Sequence, residues 1–246
     1  MTRSALLIIT FLLMLADSTD VRAQAGRPPK RTVHDTVVLV VNTELDVTNL
    51  SNVRSLQKGL RRVLPATWKI DTVHFLAAAA RMRAGVHRVV LTGQGTPWTS
   101  YPASMFSTFR RFLDKVDVPV LGICGGHQLI ALAHGVTVAP MKGTIRNNSY
   151  KGMFRQRGFT PVRLTAGAPL FAGLPAEATV WQNHVEEVKT LPTGFTQIAR
   201  DDVSPLQAFM HPTRPIVGVQ FHPEKWDEAN PAGRTILENF LGLRTR

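Results

Sequence analysis

The chain has 246 residues, 44% of them hydrophobic, with 29 Lys+Arg against 17 Asp+Glu and a formal net charge of +12. That length and apolar content supply one sizeable α/β core, so a single domain is the starting expectation. One cysteine excludes an internal disulfide. The arginines are scattered, without a dense basic block or a nucleic-acid motif, which argues against a nucleic-acid partner.

The N-terminus opens with Arg3, then an uncharged apolar run from Ala5 to Ala16, then the small-x-small pattern Ala23-Gln24-Ala25. This predicts a secretory leader over residues 1–25, with Gly26 starting the mature chain. The run is too short to span a bilayer comfortably. The expectation is an exported protein, periplasmic or secreted, with no stable membrane anchor after leader cleavage. Residues 26–35 read as a polar, proline-bearing linker, and residues 36–246 as the folded domain.

Thr36–Asn42 is a continuous apolar run and predicts a buried strand. A polar loop, Thr43–Asn49, follows. Ser51–Leu64 carries Val53, Leu56, Leu60 and Leu64 at helical spacing. Trp68–Phe75 alternates as a second strand, and Leu76–Arg83 predicts a short helix. Arg88–Thr92 is a third strand running into the loop Gly93-Gln-Gly-Thr-Pro97. Met105–Val116 predicts a helix, Val118–Ile123 a fourth strand, and His127–His134 another helix. This alternation predicts a doubly wound α/β fold: a mostly parallel sheet with helices on both faces. The second half is richer in short strands, at Thr160–Leu164, Thr179–Trp181, Thr196–Ala199, Gln207–Phe209 and Ile216–Phe221. It predicts a small additional β region before a closing helix, Ala232–Leu241.

Chemistry concentrates at the carboxyl ends of these strands, where functional loops of such sheets lie. Val120–Gln128 reads Val-Leu-Gly-Ile-Cys-Gly-Gly-His-Gln. A cysteine on a strand-to-helix turn exposes its sulfur, and the small residues Gly122, Gly125 and Gly126 permit the turn. A nucleophilic thiol needs a base and donors for a tetrahedral oxyanion. His222 follows the last strand, and Glu224 is placed to bond its far nitrogen and set the tautomer. Backbone N–H groups of Gly125 and of Gly93, Gln94 and Gly95 are the candidate oxyanion donors, although a plain glycine turn explains the latter equally well. His34, His74, His87 and His211 read as surface or core histidines. No ligand spacing predicts a metal site, and no cofactor is expected.

Together these residues resemble the class I, triad-type glutamine amidotransferases. The Gly-x-Cys-x-Gly-x-Gln pattern falls on Gly122, Cys124, Gly126 and Gln128. The downstream signature falls on Gly218, Gln220, Phe221, His222, Pro223 and Glu224. Val180-Trp-Gln-Asn-His184 looks like the Trp-x-x-His segment of the GMP synthetase glutaminase domain, and the similarity covers roughly Val37 to Leu241. It implies a flavodoxin-like fold, Cys124 as nucleophile, His222 as base and then acid, and Glu224 orienting it. It further implies that Gln128 and His184 belong to the substrate site, with Gln128 holding the substrate's amino-acid end. The implied reaction is hydrolysis of the γ-amide of glutamine through a γ-glutamyl thioester. Three positions depart from the pattern. Gln94 stands where GMP synthetase-type relatives usually carry glycine, Glu186 replaces a more usual aspartate, and no aspartate occurs near Val41 or Asn42.

Such glutaminases normally deliver ammonia to a synthase, so a separate synthase subunit is an expected partner beside the small-molecule substrate. The leader favours a stand-alone hydrolase instead. His222-Pro-Glu-Lys225 is similar to a segment of the secreted γ-glutamyl hydrolases, which makes a γ-glutamyl peptide or polyglutamate hydrolase the alternative. A non-catalytic binding module of the same fold is the third reading.

Overall fold

The computed structural model describes residues 35–243. The predicted leader, His34 and nearly all of the linker lie outside the described residues. Strand β1 (Val37–Asn42) is buried at all six positions, because β2 (Lys69–His74) and β3 (Val86–Leu91) flank it in parallel and helices cover both faces. Helix α1 (Ser51–Arg61) turns Val53, Leu56, Gly59 and Leu60 inward. It stops short of Leu64, since Pro65 disfavours helical backbone in the residue before it. The predicted short helix at 76–83 is instead a 3-10 turn, Phe75–Ala77, and a single α turn, α2 (Ala78–Arg81).

Helix α3 (Ala103–Lys115) starts directly after Pro102. Then come β4 (Val120–Ile123) and α4 (Gly125–Ala133), with Cys124 between them. The second half contains β5 (Val138–Pro140), β6 (Gln156–Leu164), β7 (Glu177–His184), β8 (Glu186–Val188), β9 (Thr196–Arg200), β10 (Ala208–Met210), β11 (Ile216–Val219) and α5 (Ala232–Gly242).

Nine strands form one sheet in the order β2-β1-β3-β4-β11-β10-β9-β6-β7. From β2 to β11 neighbours are parallel; from β11 to β7 they are antiparallel. The fold is thus the expected doubly wound sheet, and most of the additional β region is an antiparallel wing of that same sheet. β5 and β8 form a separate two-stranded ladder that the sequence does not predict. Three residues with two acids among them carry no strand periodicity, so only the pairing defines β8. β6 and β7 also run longer than expected. Their polar ends, Gln156 and His184, are paired with each other and point to the site rather than to an apolar core.

The core lies on both faces of the sheet, as period-2 side-chain alternation requires. Val38 and Val40 of β1 pack with α1 and α5 residues such as Leu56 and Ile236. Val37, Leu39 and Val41 pack against Phe109 of α3 and Leu129 of α4. The loops leaving β1, β3 and β4 all emerge at the carboxyl edge. The chain departs in opposite directions from β1 and β3, which opens a crevice there.

Candidate functional site

Cys124 occupies φ 50°, ψ −101°, a conformation that a non-glycine residue holds only at a cost of about 1–3 kcal/mol. Its backbone is pinned on both sides. Its N–H donates to Val219 O at 2.8 Å, and its carbonyl accepts from Gln128 N at 3.1 Å. The neighbouring glycines are required by space. A Cβ on Gly122 would sit 2.6 Å from Gly126 O, one on Gly126 2.5 Å from Leu91 Cβ, and one on Gly125 2.6 Å from Gln94 N. The elbow therefore presses α4 onto β3 and β4 and brings the Gln94 peptide against the start of α4.

His222 follows β11 and is anchored by its N–H donating to Trp181 O at 2.8 Å. Its Nδ1 lies 2.8 Å from Glu224 Oε1, with both side chains 5% exposed. Burial opposes charge on the ring, but the Glu224 carboxylate and the Cys124 sulfur outweigh it, so the His222 pKa is raised. Among the described residues Nε2 has no hydrogen-bond partner. His222 and Cys124 converge over Gly93: a Cβ there would lie 3.2 Å from His222 Cε1 and 3.7 Å from Cys124 Cβ. Gln220 Nε2 donates toward the Cys124 sulfur at 3.7 Å. The structure thus brings Cys124, His222 and Glu224 together, although the first two are far apart in sequence.

The loop after β3 corrects one expectation. Gly95 N–H is not free for an oxyanion, because it donates to Glu44 Oε1 at 2.8 Å. The peptide that meets Gly125 is that of Gln94. Gly125 opens α4, where N–H groups have no intrahelical acceptor. The Gln94 side chain lies against Gly125 as closely as its backbone does, its Cγ 2.6 Å from where a Gly125 Cβ would sit, and its Nε2 donates to Tyr150 OH at 3.2 Å. Glu44 itself escapes sequence reading. It is 1% exposed and also accepts from Asn52 Nδ2 at 2.8 Å and Thr96 Oγ1 at 3.4 Å. Burial raises its pKa, against these hydrogen bonds. The only available signal was an acid directly after a buried strand at the sheet's carboxyl edge.

Gln128 requires a second correction. It borders the cavity, but both its N–H groups are committed, to Glu186 O at 2.6 Å and Gln220 Oε1 at 3.0 Å. Its Oε1 accepts from Trp98 Nε1 at 2.7 Å. It braces the site from inside instead of presenting an open amide to a substrate. His184 is also buried, with Nδ1 3.0 Å from Glu186 O and Nε2 3.1 Å from Gln156 Oε1. Burial pushes its pKa down to about 4, with the His222 charge adding to that direction.

These groups enclose a cavity of about 140 Å³ lined by Cys124, Gln94, Tyr150, His184, Glu186 and His222, among others. Glu186 holds Tyr150 OH on Oε2, which also accepts from Trp98 N at 3.3 Å. Its Oε1 is buried without a partner among the described residues. Burial raises its pKa. Tyr150 follows a tight turn at Asn147 and Asn148, both with positive φ, and so closes the cavity from the β5–β6 connection. Neither that connection nor Tyr150 carried a sequence signal. No group of three or more His, Cys, Asp or Glu converges as a metal site among the described residues.

The family model "Glutamine amidotransferase class-I" matches residues 50–242. A subunit of the glutamine-hydrolysing GMP synthase from Thermoplasma acidophilum is 36% identical over 159 residues, 65% of this chain and 72% of that protein. The corresponding Methanosarcina barkeri protein is 39% identical over 132 residues, 54% of this chain and 63% of that protein. A crystal structure of a GMP synthase-type protein from Thermoplasma acidophilum superposes with TM-score 0.66 at 30% identity, covering 85% of this chain and 94% of the other. A glutamine amidotransferase from Thermotoga maritima shares the fold, with TM-score 0.55 at 21% identity over 78% of this chain and 77% of the other. With its cysteine elbow, its parallel sheet and a family match over most of its length, the chain belongs to the class-I glutamine amidotransferase family.

Proposed function

We propose that the protein hydrolyses the γ-amide of glutamine to glutamate and ammonia through a thioester on Cys124. The observation that carries this reading is the convergence of Cys124 with the His222–Glu224 pair over Gly93. His222 takes the Cys124 proton, and the sulfur attacks the amide carbon. The oxyanion forms between the N–H groups of Gln94 and Gly125. His222 then gives its proton to the leaving nitrogen, the C–N bond breaks and ammonia departs. Water, deprotonated by His222, attacks the thioester, and C–S cleavage frees glutamate and restores the thiol. Glu224 accepts from His222 Nδ1, leaving Nε2 to serve the sulfur. Glu186 Oε1, buried with no hydrogen-bond partner among the described residues, receives the substrate's α-ammonium, which supplies the positive charge that its site otherwise lacks.

The GMP synthase components among its relatives support a role as a glutaminase that feeds ammonia to a separate synthase subunit. The leader pattern supports export and a stand-alone amidohydrolase, with γ-glutamyl peptides as the second substrate class. One experiment separates these readings. Purified protein is assayed for ammonia from glutamine and for amine release from γ-glutamyl peptides, with Cys124→Ser as control. Ammonia from glutamine, abolished by Cys124→Ser, is the expected result. Cleavage of γ-glutamyl peptides alone would replace glutamine as the substrate, and labelled-precursor mass analysis after expression checks cleavage after Ala25.

A further inference from the structure

The turn that carries Glu224 is gripped between two helices, and both grips depend on a missing side chain. A Cβ on Gly59 of α1 would lie 2.5 Å from Glu224 Cβ, 2.7 Å from Glu224 O and 2.9 Å from Glu224 Cα. A Cβ on Gly233 of α5 would lie 2.3 Å from Pro223 O. Non-bonded carbons settle at about 3.5–4.0 Å, so α1 and α5 rest on this turn only because positions 59 and 233 are bare. Arg62, one helical turn beyond Gly59, completes the hold. Its guanidinium lies 3.3 Å from the Trp226 ring centroid, and its Nη1 donates to Trp226 O at 2.9 Å.

The carboxylate has no comparable polar anchor. Glu224 Oε1 meets His222, while Oε2 is buried with no hydrogen-bond partner among the described residues. A buried carboxylate oxygen is ordinarily hydrogen-bonded. Here the direction of the Oε1–His222 bond is left to the backbone seat of the turn. We propose that Gly59 is a positioning residue for the reaction: by lacking a side chain it lets α1 seat the Glu224 backbone and so aims the carboxylate at His222 Nδ1. The inference rests on Cys124, His222 and Glu224 being the reaction centre.

The variant Gly59→Ala pushes the Glu224 backbone away by roughly an ångström to restore van der Waals distance. The full chain is labelled with 15N-histidine, and the His222 signals, assigned with a His222→Gln variant, are followed against pH. The His222 midpoint is expected to fall in Gly59→Ala, because its main charge partner has moved. Glutaminase kcat is expected to fall on the order of a hundredfold, the scale of a 1 Å misplacement, with KM changed little. Gly242→Ala is the control. It adds the same methyl to α5, where nothing lies within 4 Å, and both readouts should stay at wild-type values. Arg62→Ala loosens the same turn from the surface and should shift His222 in the same direction by less. If His222 titrates as in the wild type in both Gly59→Ala and Arg62→Ala, the seat does not aim Glu224 and the inference is overturned. If the wild-type protein releases no ammonia from glutamine, the proposed reaction fails, while the titration still decides the inference.

Discussion

Glu44 offers the most informative perturbation away from the reacting groups. Its Oε1 accepts two short bonds, from Gly95 N and Asn52 Nδ2, both at 2.8 Å. Glu44→Ala removes that acceptor from a site that is 1% exposed. Both bonds are part-buried and Gly95 itself is exposed, so water re-pairs the freed donors and the loss of stability should be close to the net worth of two hydrogen bonds, about 1–3 kcal/mol. The larger consequence is local. Gly95 adjoins Gln94, whose backbone N lies against Gly125, and a loop no longer tied at Gly95 misplaces that proposed oxyanion donor. Losing one oxyanion donor costs roughly 10²–10³ in kcat. Glu44→Gln keeps Oε1 as acceptor for both donors, and burial already favours the uncharged form of Glu44, so its kcat should stay within about threefold of wild type. The assay is steady-state ammonia release, with urea denaturation run in parallel. A Glu44→Ala protein that loses stability but keeps wild-type kcat would refute the claim that this bond aims the loop.

Further outcomes follow from the same structure. Glu186→Gln should raise KM for glutamine by on the order of tenfold or more with a smaller effect on kcat, as loss of ground-state binding does; an unchanged KM would remove Glu186 from the substrate site. Tyr150→Phe deletes one of the two bonds to Glu186 Oε2 and should raise KM by a lesser factor. Gly126→Ala forces a methyl within 2.5 Å of Leu91 Cβ and should destabilise the fold by about 1–3 kcal/mol, the usual range for overpacking, measured as a urea midpoint. His127 is fully buried against Phe209 and is pushed down to about 3, as His184 is to about 4. Their unfolded values are near 6.5, so below that pH the unfolded chain binds more protons and stability falls as pH falls towards 4. Each group contributes a slope of up to about 1.4 kcal/mol per pH unit. His127→Phe should remove its share of that slope in urea titrations at pH 7 and pH 5; an unaltered slope would show that the ring is not held neutral.

Local sequence determined what local chemistry can specify. The apolar run at Thr36–Asn42 reads as a strand buried on both faces. The glycines around Cys124 implied a strand-to-helix turn, because no larger residues tolerate that approach. His222 and Glu224 are two residues apart and announced their own pairing. The alternation of strand and helix led to a parallel sheet, since a right-handed crossover permits little else. Tertiary structure decided everything that depends on convergence. Gln128 reads as a ligand in a motif, yet its amide is consumed by Trp98, Gln220 and Glu186, partners 30 to 92 residues away. Gly95 reads as a donor until Glu44 is found to occupy it, and Gly59 is one helical residue among many until Glu224 is found against it. A residue's type and spacing fix which bonds it is able to make. Which of them it makes depends on the groups packed around it, and those come from distant parts of the chain.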